Sequence, residues 1–84
     1  MDNKTDTYTP IACALYSEYE LAILRRRRLR LRWCDAEGMD HIEVVRPVDL
    51  QTRQGEEFMV LEDGRELRLD RIVEQRNEQE EEDG

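Results

Sequence analysis

The spacing of apolar residues changes period once along the chain. Leu15, Tyr19, Ala22 and Ile23 recur at i, i+4, i+7 and i+8, the stripe of a helix docked by one face. Thr9-Pro10 precedes it, and a residue before proline is pushed toward extended geometry. Ser17 with Glu20 has capping-box spacing, while Leu15 argues for a start one turn earlier; the pattern leaves both open. With the stripe turned inward, Tyr16 and Glu20, with Ser17 beside them, are expected to look outward.

After Leu24 the period becomes two. Leu29, Leu31 and Trp33 alternate with Arg28, Arg30 and Arg32, which predicts a half-buried strand with Trp33 on the core side. Asp35-Ala36-Glu37-Gly38 reads as a turn, and Ile42, Val44 and Val45 mark a second strand ended by Arg46-Pro47. Val48-Asp49-Leu50 is short and ambiguous. Gln54-Gly55 is a further turn. Phe58 and Val60, with Met59 and Leu61 in weaker alternation, make another strand. Asp63-Gly64 is a strong hairpin signal, followed by a strand with Leu67 and Leu69 on one side. One helix followed by short strands at hairpin spacing predicts an α+β, mainly β domain. Its expected form is a small, strongly bent antiparallel sheet or open barrel, with the helix over one opening.

Composition narrows the function. The chain has 84 residues, 40% of them charged, and a formal charge of -8. That leaves room for one domain and argues against a general polyanion binder. No uncharged stretch is long and apolar enough to span a membrane, and the N-terminus shows no basic-then-apolar leader, so a cytoplasmic protein is expected. The charge is uneven. Residues 74–84 carry five net negative charges and no apolar side chain, and are expected to form a disordered acidic tail. The expected organisation is a flexible N-terminus at 1–7, one domain at 8–73 and the tail at 74–84.

Six arginines fall between Arg25 and Arg32. One reading is a small RNA-binding module built on that patch. Against it, Trp33 is the only aromatic beside the run, and it belongs to the core side. The plainer reading is a solvated helix end and strand face, in part paired with nearby acids. Catalysis is not expected: Ser17 and His41 are the sole serine and histidine, and no glycine-rich phosphate loop exists. Cys13, Cys34 and His41 lack ligand spacing, so neither a metal nor a cofactor is expected. The two cysteines read as reduced, partly buried thiols and His41 as a strand-surface residue.

The segment from Tyr8 through Pro10, Ile11, Cys13, Tyr16 and Glu20 to Ala22 resembles the opening of the Rho-binding antiterminators, the Rof-type inhibitors of transcription termination factor Rho. Arg65 to Ile72 is similar to that family's closing strand, and the resemblance spans about residues 8 to 73. It implies an Sm-like, strongly bent sheet behind an N-terminal helix. It also implies inhibition of Rho by protein contact at its RNA-binding OB domain, made through that helix. Carried over onto matching positions, the partner-binding residues are Tyr16 and Glu20, with Ser17 and Glu18 beside them. The helix is less acidic than the family pattern, because Ala14, Leu15 and Ser17 stand near the tyrosine where acids are usual. The partner expected is therefore Rho, with no nucleic acid bound directly, no membrane, and a monomer when free.

Overall fold

A computed structural model describes residues 8–78. Helix α1 (Cys13–Leu24) is followed by strands β1 (Leu29–Cys34), β2 (Asp40–Val45), β3 (Pro47–Arg53), β4 (Glu56–Leu61) and β5 (Glu66–Arg68). A 3-10 turn (Leu69–Arg71) then leads into β6 (Ile72–Asn77). The domain is α+β and mainly β. No helix among the described residues is long and apolar enough to cross a membrane.

The earlier helix start is the one formed. Ala12 precedes the first turn without any side-chain cap, so Ser17 and Glu20 sit inside the helix and make no capping box. The C-terminal end is closed by backbone. Arg26 adopts φ +55°, its N–H bonds Ile23 O, and the Arg27 N–H bonds Ala22 O at 2.9 Å. This is a Schellman closure with arginine where glycine is usual.

The strands form two three-stranded antiparallel sheets, ordered β2-β1-β6 and β3-β4-β5. The strongly bent sheet expected from the pattern is broken at its bends, and no closed barrel forms among the described residues. Arg46 alone separates β2 from β3, and the 3-10 turn carries the chain back from the second sheet to the first. The two-residue Gln54-Gly55 turn has positive φ at both positions (53° and 79°), the twist a tight hairpin needs. Gly38 and Gly64 close the other two hairpins, with N–H bonds to Asp35 O and Leu61 O.

The core joins both sheets to the helix. Tyr19 and Ala22 from α1 meet Leu29, Leu31, Trp33, Val45, Met59, Leu61, Leu67 and Leu69. Each fully buried Leu or Met contributes about 1.5–3 kcal/mol. Exposed ion pairs contribute about 0–1 kcal/mol each, so the core outweighs the many surface pairs. The structure fixes facings that the pattern leaves open, and it corrects one expected burial. In β4 the buried residues are Met59 and Leu61, while Phe58 and Val60 are half-buried. Phe58 lies under the Arg53 guanidinium at 4.5 Å, which covers its outward ring. In β2, Ile42 and Val44 face solvent opposite Arg32 and Arg30, and Val45 alone reaches the core. Cys13, expected to be partly buried, is exposed in the first helical turn, and Cys34 is half-buried; both are free thiols.

Glu74 to Asn77, expected in the tail, form most of β6 and pair with β1 from Arg32 to Leu29. The inward positions of this strand are Gln75 and Asn77, so no apolar alternation marks it. It is held instead by the backbone ladder and by Arg32 Nε–Glu74 Oε1 (3.6 Å) and Arg30 Nε–Glu78 Oε1 (3.5 Å). The expected flexible N-terminus at 1–7 and the rest of the tail at 79–84 lie outside the described residues.

Candidate functional site: an acid-flanked tyrosine face

Helix α1 packs across β3. Tyr16 is three residues before the buried Tyr19, which turns it to the flank of the docked stripe rather than to its far side. The outward placement expected for Tyr16 is therefore corrected: its ring is half-buried and packs against the core. Ser17, Glu18 and Glu20 are exposed, as the helical pattern requires. Tyr16, Ser17 and Glu20 share one flank of the helix, with the partly sheltered ring at its inner edge, whereas Glu18 lies on the other flank, in the cleft lined by Leu21, Arg25 and Arg27.

Acids from three elements converge on that ring. Burial raises the Tyr16 phenol above its ordinary value, and the nearby charges of Glu57, Glu20 and Asp49 push it further in the same direction. Glu20 is one helical turn on. Asp49 comes from β3, where its carboxylate accepts the Leu50 N–H at 2.9 Å. Glu57 comes from β4 and accepts a 2.7 Å hydrogen bond from the Tyr8 hydroxyl. Burial and that bond to Glu57 raise the Tyr8 phenol as well.

The segment before the helix is fastened to the second sheet. The Thr9 N–H donates to Asp70 Oδ2 at 2.9 Å. Arg68 bonds the same carboxylate through Nε and Nη2, at 2.8 and 2.9 Å, and lies 5.7 Å from the Tyr8 ring. Burial alone would raise the Asp70 carboxyl, but the Arg68 bond and the Thr9 N–H outweigh it and hold it below the usual carboxylate range. Tyr8 and Tyr16 are thus held beside Glu57 by contacts far apart in sequence. Asp49 and Glu57 escaped sequence reasoning, because β3 shows no alternation and Glu57 reads only as a turn-flanking acid.

This arrangement presents carboxylates beside aromatic rings. Burial and the neighbouring carboxylates hold the two phenols neutral. Among the described residues no group of three His, Cys, Asp or Glu converges as a metal ion would require. His41 stacks on Trp33 at 5.1 Å, and its Nε2 lies 2.8 Å from Asp35 Oδ2. That pair fastens the β1–β2 turn at the opposite end of the sheet order from β6.

The arginine run divides in two. Arg30 and Arg32 stand on the outer face of β1 and pair with Glu78, Asp40 and Glu74. Arg25 to Arg28 fill the connection from α1 to β1, with Arg25, Arg26 and Arg28 exposed and Arg27 half-buried.

Comparison with known proteins gives two similar curated sequences, the Protein rof of Escherichia coli (strain K12) and the Protein rof of Shigella flexneri. Each is 39% identical over 71 residues, covering 81% of this chain and 80% of the relative. No family model matches the chain, and no solved structure matches it.

Proposed function

The chain belongs to the Rof family, and from that premise we propose that it inhibits Rho-dependent transcription termination by binding the RNA-binding OB domain of the Rho hexamer. The observation that carries this reading is the acid-flanked tyrosine face, with Glu20, Asp49 and Glu57 around Tyr16. A site that loads single-stranded RNA is basic and lined with aromatics. An acidic protein is steered to such a site by long-range attraction, and a sheltered tyrosine in the contact serves as its anchor. Ser17 and Glu20 form the exposed rim of that contact, and Glu18, on the other flank of the helix, lies outside it. Occupying the site keeps the transcript from loading, which gives antitermination without catalysis, cofactor or metal. In this mechanism the free inhibitor is a cytoplasmic monomer.

The rival reading, direct RNA binding through Arg25 to Arg32, is less well supported. Arg30 and Arg32 are already engaged by acids on neighbouring strands. A pull-down with purified Rho hexamer separates the two readings. Tyr16→Ala is expected to weaken Rho binding by more than about 2 kcal/mol, as at an interface hot spot. Glu20→Arg is expected to weaken it in a salt-dependent way, and added pyrimidine-rich RNA to compete with the inhibitor. Folded variants that bind Rho as tightly as the parent would remove the helix face from the mechanism. Binding that maps to the ATPase domain would overturn the OB-domain assignment.

A further inference from the structure

β2 is an edge of the first sheet, and the directions of its backbone groups follow from two bonds at the ends of β1. The Asp35 N–H donates to Met39 O at 2.9 Å, and the Glu78 N–H donates to Arg28 O at 3.0 Å. Along an antiparallel strand, successive residues bond to alternate neighbours. Arg28, Arg30 and Arg32 therefore bond toward β6. Leu29, Leu31 and Trp33 bond toward β2, where they face Val45, Glu43 and His41. The backbone groups of Asp40, Ile42 and Val44 are left pointing away from β1. The open edge ends there, because Arg46 O accepts the Glu62 N–H at 2.9 Å.

An open edge is a template for another strand, and proteins guard such edges with charge, proline or bulges. β6, the other edge of this sheet, carries Glu74 and Arg76. β2 instead presents Ile42 and Val44, 64% and 39% exposed, on its outer face. We propose that this edge pairs with the same edge of a second copy of the chain, antiparallel about a two-fold axis through Ile42. This is the one register that engages all three open residues of each copy. Ile42 meets Ile42 of the second copy, and Asp40 meets its Val44 on either side. On the other face the register sets His41 opposite Glu43 of the second copy, an imidazole against a carboxylate. An axis through Glu43 would set two carboxylates face to face, which is destabilising, and would put Asp40 opposite the occupied Arg46. The inference goes beyond the proposed function, since no residue of the acid face lies on β2. Five residues from each copy bury less than the roughly 1,200 Å² of a stable interface, so the pair should dissociate on the order of 0.1 mM. The dilute inhibitor is then the monomer of the mechanism above.

The test is sedimentation of the full chain over rising concentration up to 1 mM. A reversible monomer–dimer equilibrium is expected. It should strengthen as salt is raised to 0.3 M, because each copy carries a formal charge of -8 and the two repel. A chain that stays monomeric throughout would overturn the proposal. Ile42→Lys sets two like charges on the axis and should weaken the dimer at least tenfold while the melting temperature holds, since Ile42 faces solvent. An equally tight Ile42→Lys dimer would overturn it as well. The register is read by cross-linking in a Cys13→Ser/Cys34→Ser background. Ile42→Cys should form a disulfide-linked dimer, because hydrogen-bonded partners lie about 5.5 Å apart at Cα. Val44→Cys, which faces Asp40 in this register, should not. Cross-linking through Val44→Cys in place of Ile42→Cys would refute the axis.

Discussion

The two ends of α1 carry opposite charge, and they are built in opposite ways. The arginine corner beyond Leu24 is local: four consecutive residues, written in order along the chain. The acid face beside Tyr16 is assembled: Glu20 comes from the helix, Asp49 from β3, Glu57 from β4, with Tyr8 fastened alongside. A local cluster exists wherever the chain is present. An assembled one exists only while the helix is docked on the sheets. The acid face should therefore be lost with tertiary structure, whereas the positive density of the arginine run should survive unfolding.

The hardest blow to that contrast falls on the residue that docks the helix. Tyr19→Ala empties a fully buried site and should cost roughly 3–5 kcal/mol, read as a lower melting temperature. Tyr19→Phe is the control. The Tyr19 hydroxyl is buried without a partner, and burial pushes its phenol up to about 12. Removing the hydroxyl should leave the melting temperature unchanged or raise it. A fall would reveal a partner for that hydroxyl.

A smaller effect is expected at the fastening of Tyr8. Asp70→Asn loses the charge that holds Thr9 and Arg68, at about 1–3 kcal/mol near neutral pH. The folded Asp70 carboxyl titrates below its ordinary range. Its contribution is therefore complete above the unfolded value of about 3.9 and disappears as pH falls through the folded one. The stability gap between parent and Asp70→Asn should close in acid. A gap that stays constant from neutral pH to pH 2 would mean the carboxylate charge is not what fastens the segment.

The mildest change acts at the other end. Arg26→Gly relieves a left-handed arginine and should raise stability by about 1 kcal/mol, seen in denaturant unfolding. It should leave the proposed binding to Rho unaltered, since the acid face does not include it. A loss of stability would show that the Arg26 side chain makes a contact worth more than its backbone strain.

The same division decides what could be read from the sequence. The helix stripe, the alternation of β1 and the three hairpin turns are local periodicities, and all are formed. β3 was ambiguous because only Pro47 and Leu50 turn from solvent, which breaks alternation over Val48 to Arg53. Residues 74–77 read as tail because the inward residues there are polar and their support is the edge of β1, a partner more than forty residues away. Helical spacing places Tyr16 outward, less than one turn from the flank it occupies. A face expected from spacing becomes a flank once β3 and β4 crowd it. Of the candidate site, Tyr16, Ser17, Glu18 and Glu20 come from the family resemblance, whereas Asp49 and Glu57 needed the fold.

Arg46, the single residue between β2 and β3, has a consequence for how such a chain can change in length. Val45 and Pro47 on its two sides both point into the core. Adding or deleting one residue here would turn either Val45 or Pro47 out of the core. The loops at Ala36–Gly38 and Glu62–Gly64 carry no such constraint, because hairpin tips can grow without disturbing the strands that leave them. Added residues should therefore be tolerated at the tips and not at the elbow.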